Sequence, residues 1–202
     1  MRDPYLYDDI DVFKNLLNIQ DAQMLEQAEA DITSIRLLDV DDAIDEKLFG
    51  FQRLLAIHKH IFGDLYEWAG AIRSVAIFKS ERVLGGDTIR YSHPDRIEID
   101  CENILNKLNK TEWARFDVHE TATTFARLIA ALWQVHLFRE GNTRTTITFA
   151  TQFAEAHGFR MDKTLLKESS DYVRDAFVKA SDGQYSEYQY LEKIFEDAIR
   201  RG

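Results

Sequence analysis

Cysteine is almost missing: with Cys101 alone among 202 residues, no internal disulfide can form, and no Cys and His spacing resembles a zinc site. That points to a reducing compartment, and it leaves any metal chemistry to carboxylates. Proline is as scarce, at Pro4 and Pro94 only, and nine glycines are thinly spread, so most of the chain is free to be helical. Basic charge is also short. There are 25 Lys and Arg against 35 Asp and Glu, a net charge of -10 with pI near 5.1. Such a chain does not bind nucleic acid directly, because phosphate-backbone affinity is built on clustered cations. No apolar run approaches the roughly 20 residues that span a bilayer. The start, Met1-Arg2-Asp3-Pro4-Tyr5, is polar and followed by acidic residues, without the apolar stretch of a secretory signal. The expectation is a cytoplasmic protein without a membrane segment, with export by another signal left open.

What is present is an ordinary core-forming inventory. Apolar residues make up 45%, with 13 Phe, 8 Tyr and 3 Trp, enough for one domain over 1–202 without staples. Asp21 is placed to cap a first helix with Leu25, Ala28 and Ile32 on one face, and Leu48, Phe51, Leu55, His58 and Phe62 mark a second. The acidic link from Asp39 to Glu46 reads as a solvated loop. Between Gly70 and His93, Ser74 to Phe78 and Thr88 to Tyr91 flank Gly85-Gly86, which predicts a β-hairpin. Helices resume after Pro94 and again from about Asp117, the latter carrying Val118, Phe125, Ile129, Leu132 and His136 at helical period. Further helices are expected over Thr145 to Ala156, ending at Gly158, over Asp162 to Ala180, and over Ser186 to Arg200. The fold class is all-α, a helical bundle with one short hairpin.

The stretch that carries chemistry is His136-Leu137-Phe138-Arg139-Glu140-Gly141-Asn142-Thr143-Arg144, between the end of one apolar helix and the start of another. A lone histidine on an apolar face is more often a core residue satisfied by backbone. The residues after His136 change that balance. Gly141 allows a tight turn and close approach to a ligand, Asn142 can cap the next helix, and the amides at that helix start form an anion site suited to phosphate. Glu140 can hold Mg²⁺ against phosphate oxygens, and Arg144 can clamp them from the other side. His136, with an ordinary pKa near 6.5, is the natural general base. Phe138 reads as a packing anchor. His58 and His60, two apart on a helix, cannot share a ligand and read as structural or exposed. Tyr185, Tyr188 and Tyr190 read as packing.

This stretch resembles the Fic family signature, His-x-Phe-x-(Asp/Glu)-Gly-Asn-(Gly/Lys)-Arg-x-x-Arg, at His136, Phe138, Glu140, Gly141, Asn142 and Arg144, within 136–147. The run from Ile57 to Gly70 resembles the family's helix leading into its flap, and Asp3-Pro4-Tyr5-Leu6-Tyr7 is similar to the opening of small bacterial Fic toxins. The resemblance implies a Fic fold, with a helical bundle around a helix-loop-helix active site and a flap at about 71–93. It implies a protein adenylyltransferase that moves AMP from ATP to a hydroxyl of a target protein. His136 would then be the base, Glu140 the Mg²⁺ ligand, and Gly141, Asn142, Thr143 and Arg144 the phosphate and ATP site. Ile77, Phe78 and Lys79 would be the flap that docks an extended target segment. The implied partners are a target presenting a Ser, Thr or Tyr hydroxyl, by analogy a topoisomerase, and a small antitoxin.

Three positions depart from the signature: Leu137 replaces a common Pro, Thr143 replaces Gly or Lys, and Ile147 replaces the second Arg. Ile147 keeps two alternatives open, a Doc-like phosphotransferase and a catalytically degenerate binding module. Gly141 speaks against the Doc branch, which typically has Ala there. Self-inhibited members carry (Ser/Thr)-x-x-x-Glu-(Gly/Asn). Here Thr151 with Glu155 and Thr164 with Glu168 have the spacing, but Ala156 and Ser169 come next. Restraint is therefore expected from a separate antitoxin that docks a glutamate near Arg144.

Overall fold

In the computed structural model, which describes residues 3–45 and 48–201, helix α1 (Ala22–Arg36) opens on Asp21, whose carboxylate accepts the Met24 amide at 2.8 Å. A four-residue helix α2 (Val40–Ala43) comes next where a loop is expected, and Asp41 there bonds Gln152 and Lys163. Glu46 lies outside the described residues. Helix α3 (Phe51–Phe62) turns Leu54, Ile57, His58, Ile61 and Phe62 inward, while Leu48 precedes it and is exposed. After the flap, a turn over Pro94–Arg96 leads into α4 (Ile97–Lys110).

Helix α5 (Val118–Val135) is central and packs against α4 and three later helices. It starts with a reciprocal cap: Asp117 accepts the Glu120 amide, and Glu120 accepts the Asp117 amide. Ala122, Ala126 and Ala130 form a small-residue ridge that lets neighbours approach closely, and Phe125, Ile129 and Trp133 fill the space beside it. Helix α6 (Asn142–Ala156) ends where Gly158 takes φ +85°. The span expected as one helix from Asp162 splits at Ser169 into α7 (Lys163–Glu168) and α8 (Ser170–Ala180). Helix α9 (Gln189–Ala198) comes last. One connected core of buried apolar side chains runs from Val40 to Ile199.

The regular sheet lies elsewhere than expected. Strand β1 (Phe159–Met161) pairs antiparallel with β2 (Ile199–Arg201), Arg160 opposite Arg200, with Phe159, Met161 and Ile199 turned inward. The flap runs out and back at the expected place, with a tight turn over Arg82–Leu84 and Gly85 and Gly86 at φ +67° and +100°. Its legs form no regular ladder among the described residues, because their carbonyls go to side chains. Val75 and Ser92 bond Arg73, and Arg90 bonds Gln134. At the tip, the Glu81 amide donates to Asp87 at 2.8 Å.

Candidate active site

The helix-loop-helix element is made by α5 and α6. His136 caps α5 in the left-handed region, at φ +54° and ψ +63°, which a non-glycine residue adopts only when its surroundings enforce it. Its ring is 4% exposed, stacks on Tyr91 at 4.0 Å and meets Trp133 edge-on. Neither ring nitrogen has a hydrogen-bond partner among the described residues. Burial, followed by the cations of Lys79, Arg73 and Arg174, holds its pKa well below 6.5, so the imidazole is neutral and can accept a proton.

The loop after it is fixed from three directions. The Asn142 amide bonds Phe138 both ways, accepting its N–H at 2.9 Å and donating to its carbonyl at 2.8 Å. Asn142 thus closes the loop, and the cap position of α6 belongs to Gly141 at φ +79°. Phe138 stacks on His58 at 3.8 Å, as a packing anchor should. The His58 Nδ1 accepts the Gly70 amide at 2.8 Å, so its Nε2 carries the proton and donates to the Glu140 carbonyl at 3.1 Å. Burial pushes its pKa down to about 3, so this contact persists at neutral pH. A Cβ at Gly141 would lie 2.3 Å from Cζ of Phe62, so only glycine fits here on either count.

Helix α6 starts without a side-chain cap, leaving its first-turn amides available to an anion. Glu140 is half-buried beside it, accepting the Gly141 amide at 3.0 Å and the Lys79 ammonium at 3.2 Å. Burial alone would raise its pKa. The Lys79 charge, the Gly141 amide and Arg144 outweigh burial, and the group stays ionised. Thr143 accepts Trp133 Nε1 at 2.9 Å. The Arg144 guanidinium lies over the Phe62 ring, donates to Thr33 Oγ1 at 2.7 Å and pairs with Glu29, whose other oxygen accepts the Tyr66 hydroxyl at 2.6 Å. Ile147 packs against the core and brings no cation.

Of the flap residues, Ile77 and Lys79 turn inward, Lys79 onto Glu140, while Phe78 is 82% exposed. The far part of the flap is pinned to α8: Glu81, 1% exposed, takes Arg174 through both oxygens at 2.8 and 3.1 Å, and Arg82 pairs with Asp175 at 2.7 Å. The opening segment also reaches the motif, as Asp3 pairs with Arg139 at 2.7 Å and Tyr5 Oη accepts the Ser74 amide. Sequence reasoning missed the parts played by Arg73, Glu29 and Tyr91. Only tertiary contact brings them to the motif, and no spacing in the sequence marks them.

A neutral, left-handed histidine at a helix end is followed by a carboxylate and by a glycine-led helix start that no side chain caps, which sets a base, an acidic group and open first-turn amides side by side. Residues 49–154 match the Fic/DOC family, and the chain belongs to it. It is 33% identical to protein adenylyltransferase VbhT of Bartonella schoenbuchensis over 79% of its own length, spanning 32% of that protein. It is 30% identical to the probable protein adenylyltransferase Fic of Salmonella typhimurium, covering 79% of this chain and 76% of that one. In three dimensions it resembles the BepC protein of Bartonella tribocorum, solved with bound AMPPNP, at TM-score 0.82 and 21% identity, over 98% of this chain and 97% of the other. That likeness supports the Fic fold.

Proposed function

We propose that this chain is a protein adenylyltransferase that moves AMP from ATP to a hydroxyl of a target protein, with His136 as general base. The observation that carries the reading is His136 itself: a buried, neutral ring whose two nitrogens are unengaged among the described residues, seated in a rare backbone conformation at the end of α5, one short loop ahead of the uncapped start of α6. In the reaction the target oxygen bonds to the α-phosphorus, the bond from that phosphorus to the pyrophosphate oxygen breaks, and the hydroxyl proton passes to His136. The α6 amides meet the phosphate charge without reorganising, which is how phosphoryl chemistry is stabilised. Glu140 fits Mg²⁺, because a lone ionised carboxylate beside a phosphate site suits that ion and a cation, Lys79, already stands on its oxygen. When bound, the ion would neutralise phosphate charge there. Phe78, exposed on the flap, is suited to meet the target segment.

Restraint by a separate small antitoxin belongs to the same proposal, with Arg144 as the cation that a partner's glutamate would approach. Arg144 already holds a carboxylate of this chain, Glu29, so a partner's glutamate would displace it or dock beside it. Ile147 favours a second reading, Doc-like transfer of the γ-phosphate, since no second arginine stands on α6 at that position.

The test is mass spectrometry of lysate proteins after incubation with Mg²⁺ and ATP labelled separately at the α and γ positions. The expected result is α-label and an AMP mass on a target, reduced by about a hundredfold to ten-thousandfold in His136→Ala, the range a lost general base gives. Transfer of γ-label alone would establish the phosphotransferase instead. Unchanged transfer by His136→Ala would remove the histidine from the mechanism.

A further inference from the structure

Arg73 lies on the leg that enters the flap, is 1% exposed, and has no carboxylate partner among the described residues. A buried cation ordinarily needs an anion, since leaving it unpaired costs several kcal/mol. Its compensation here is four main-chain carbonyls. Nε donates to His136 at 2.7 Å, Nη1 to Val75 at 2.7 Å, and Nη2 to Ser92 at 2.5 Å and Val135 at 3.4 Å. Its own amide donates to Leu137 at 2.9 Å. Val135 and His136 are the last carbonyls of α5, where the helix dipole is negative, so the guanidinium completes that end of the helix as a cation should.

The four acceptors belong to three segments that nothing in the sequence joins. Val75 begins the outgoing leg of the flap, Ser92 ends the returning leg, and Val135 and His136 close the helix that carries the base. Tyr91, next to Ser92, is the ring that stacks on His136. Holding the His136 carbonyl also fixes the ψ of a residue that sits in a sparsely populated region and would otherwise relax.

We propose that Arg73 is a positioning residue that ties both legs of the flap and the left-handed His136 into one rigid unit, so that a segment docked on the flap is registered against the base. Only a planar fork with five donors reaches acceptors in so many directions. A lysine offers the same charge from a single point and satisfies fewer of them. The coupling stands on these contacts alone; its consequence for transfer rests on the transferase reading. Registration matters because a displacement of about 1 Å between reacting groups costs about a hundredfold in rate.

The experiment is amide hydrogen exchange on the full chain, wild type against Arg73→Lys and Arg73→Gln, with thermal melts in parallel. In whichever variant melts cooperatively, exchange should rise at least about tenfold both at the flap tip (Glu81, Gly86) and in the motif loop (His136, Phe138, Gly141), while α3 and α9 stay unchanged. The α-label transfer to lysate proteins should fall at least about tenfold with the ATP Kd within about twofold of wild type. Unchanged exchange, loosening of flap or motif alone, or a uniform rise over all helices would overturn the proposal, as would parallel loss of ATP binding. If neither variant folds, exchange of the wild type in low denaturant decides: flap and motif amides must open together with one denaturant dependence, and separate openings reject the coupling. Coupled exchange in a chain that transfers neither label would sink the transferase reading and leave the coupling intact.

Discussion

Arg73 and Arg144 stand at opposite ends of the motif, and their partners differ in kind. Among the described residues the Arg73 side chain bonds only carbonyls, which cannot leave without moving the main chain, whereas Arg144 holds the Glu29 carboxylate and the Thr33 hydroxyl, both side chains of α1. A carboxylate on an arginine is a chemical stand-in for a phosphate oxygen and can be exchanged for one. The end of the site that bears the base is thereby built as fixed structure. The end suited to phosphate is built from exchangeable pairs, Arg144 with Glu29 and Glu140 with Lys79.

The largest effect should come where the two ends meet. Gly141→Ala forces a Cβ against the Phe62 ring and a left-handed conformation on alanine. Together these cost about 2 to 5 kcal/mol, combining overpacking with the penalty for that backbone region. Thermal melts should show the loss, and Phe62→Leu in the same chain should recover part of it. An unshifted melt would mean the loop has room that this packing denies.

A smaller change tests the exchangeable end. Glu29→Gln keeps an acceptor for the Tyr66 hydroxyl but removes the charge from Arg144. ATP binding, followed calorimetrically, should tighten by about two- to fivefold, or about 0.4 to 1 kcal/mol, the scale of a partly exposed ion pair. Weaker binding would show that Glu29 orients Arg144 for the nucleotide rather than competing with it.

The smallest expected effect is a missing one. An ordinary histidine base would halve the rate as pH falls to 6.5. His136 is depressed by burial and by Lys79, Arg73 and Arg174, so it stays unprotonated and competent there. The acid limb of the transfer rate should therefore lie well below 6.5. A step at 6.5 that disappears with His136 would contradict the buried geometry.

Much of the fold is legible in the sequence because the signals are local. Asp21 and Asp117 mark helix starts by bonding amides three residues on, Gly158 marks a stop through its left-handed backbone, and the apolar stripes keep to the helical period. The motif from His136 to Arg144 is readable because its residues are contiguous. The flap falls where the sequence puts it, yet alternation in Ser74 to Phe78 and Thr88 to Tyr91 describes extended chain, and whether two extended legs pair depends on what competes for their carbonyls. Arg73 and Gln134 win that competition. The β1 and β2 pair escapes a reading of the sequence because its halves are about forty residues apart, and each is too short to signal alone.

The sequence by itself determined the helical character of the chain, the place of the motif and the need for glycine at its turn, since each arises from residue chemistry within a few positions. Tertiary structure alone decided that the His136 ring is buried with its nitrogens free of hydrogen bonds among the described residues, that Arg144 faces a carboxylate, and that the flap is bound to the base through Arg73. Burial and charge pairing are properties of segments brought together from distant parts of the chain, and no window of the sequence contains both partners.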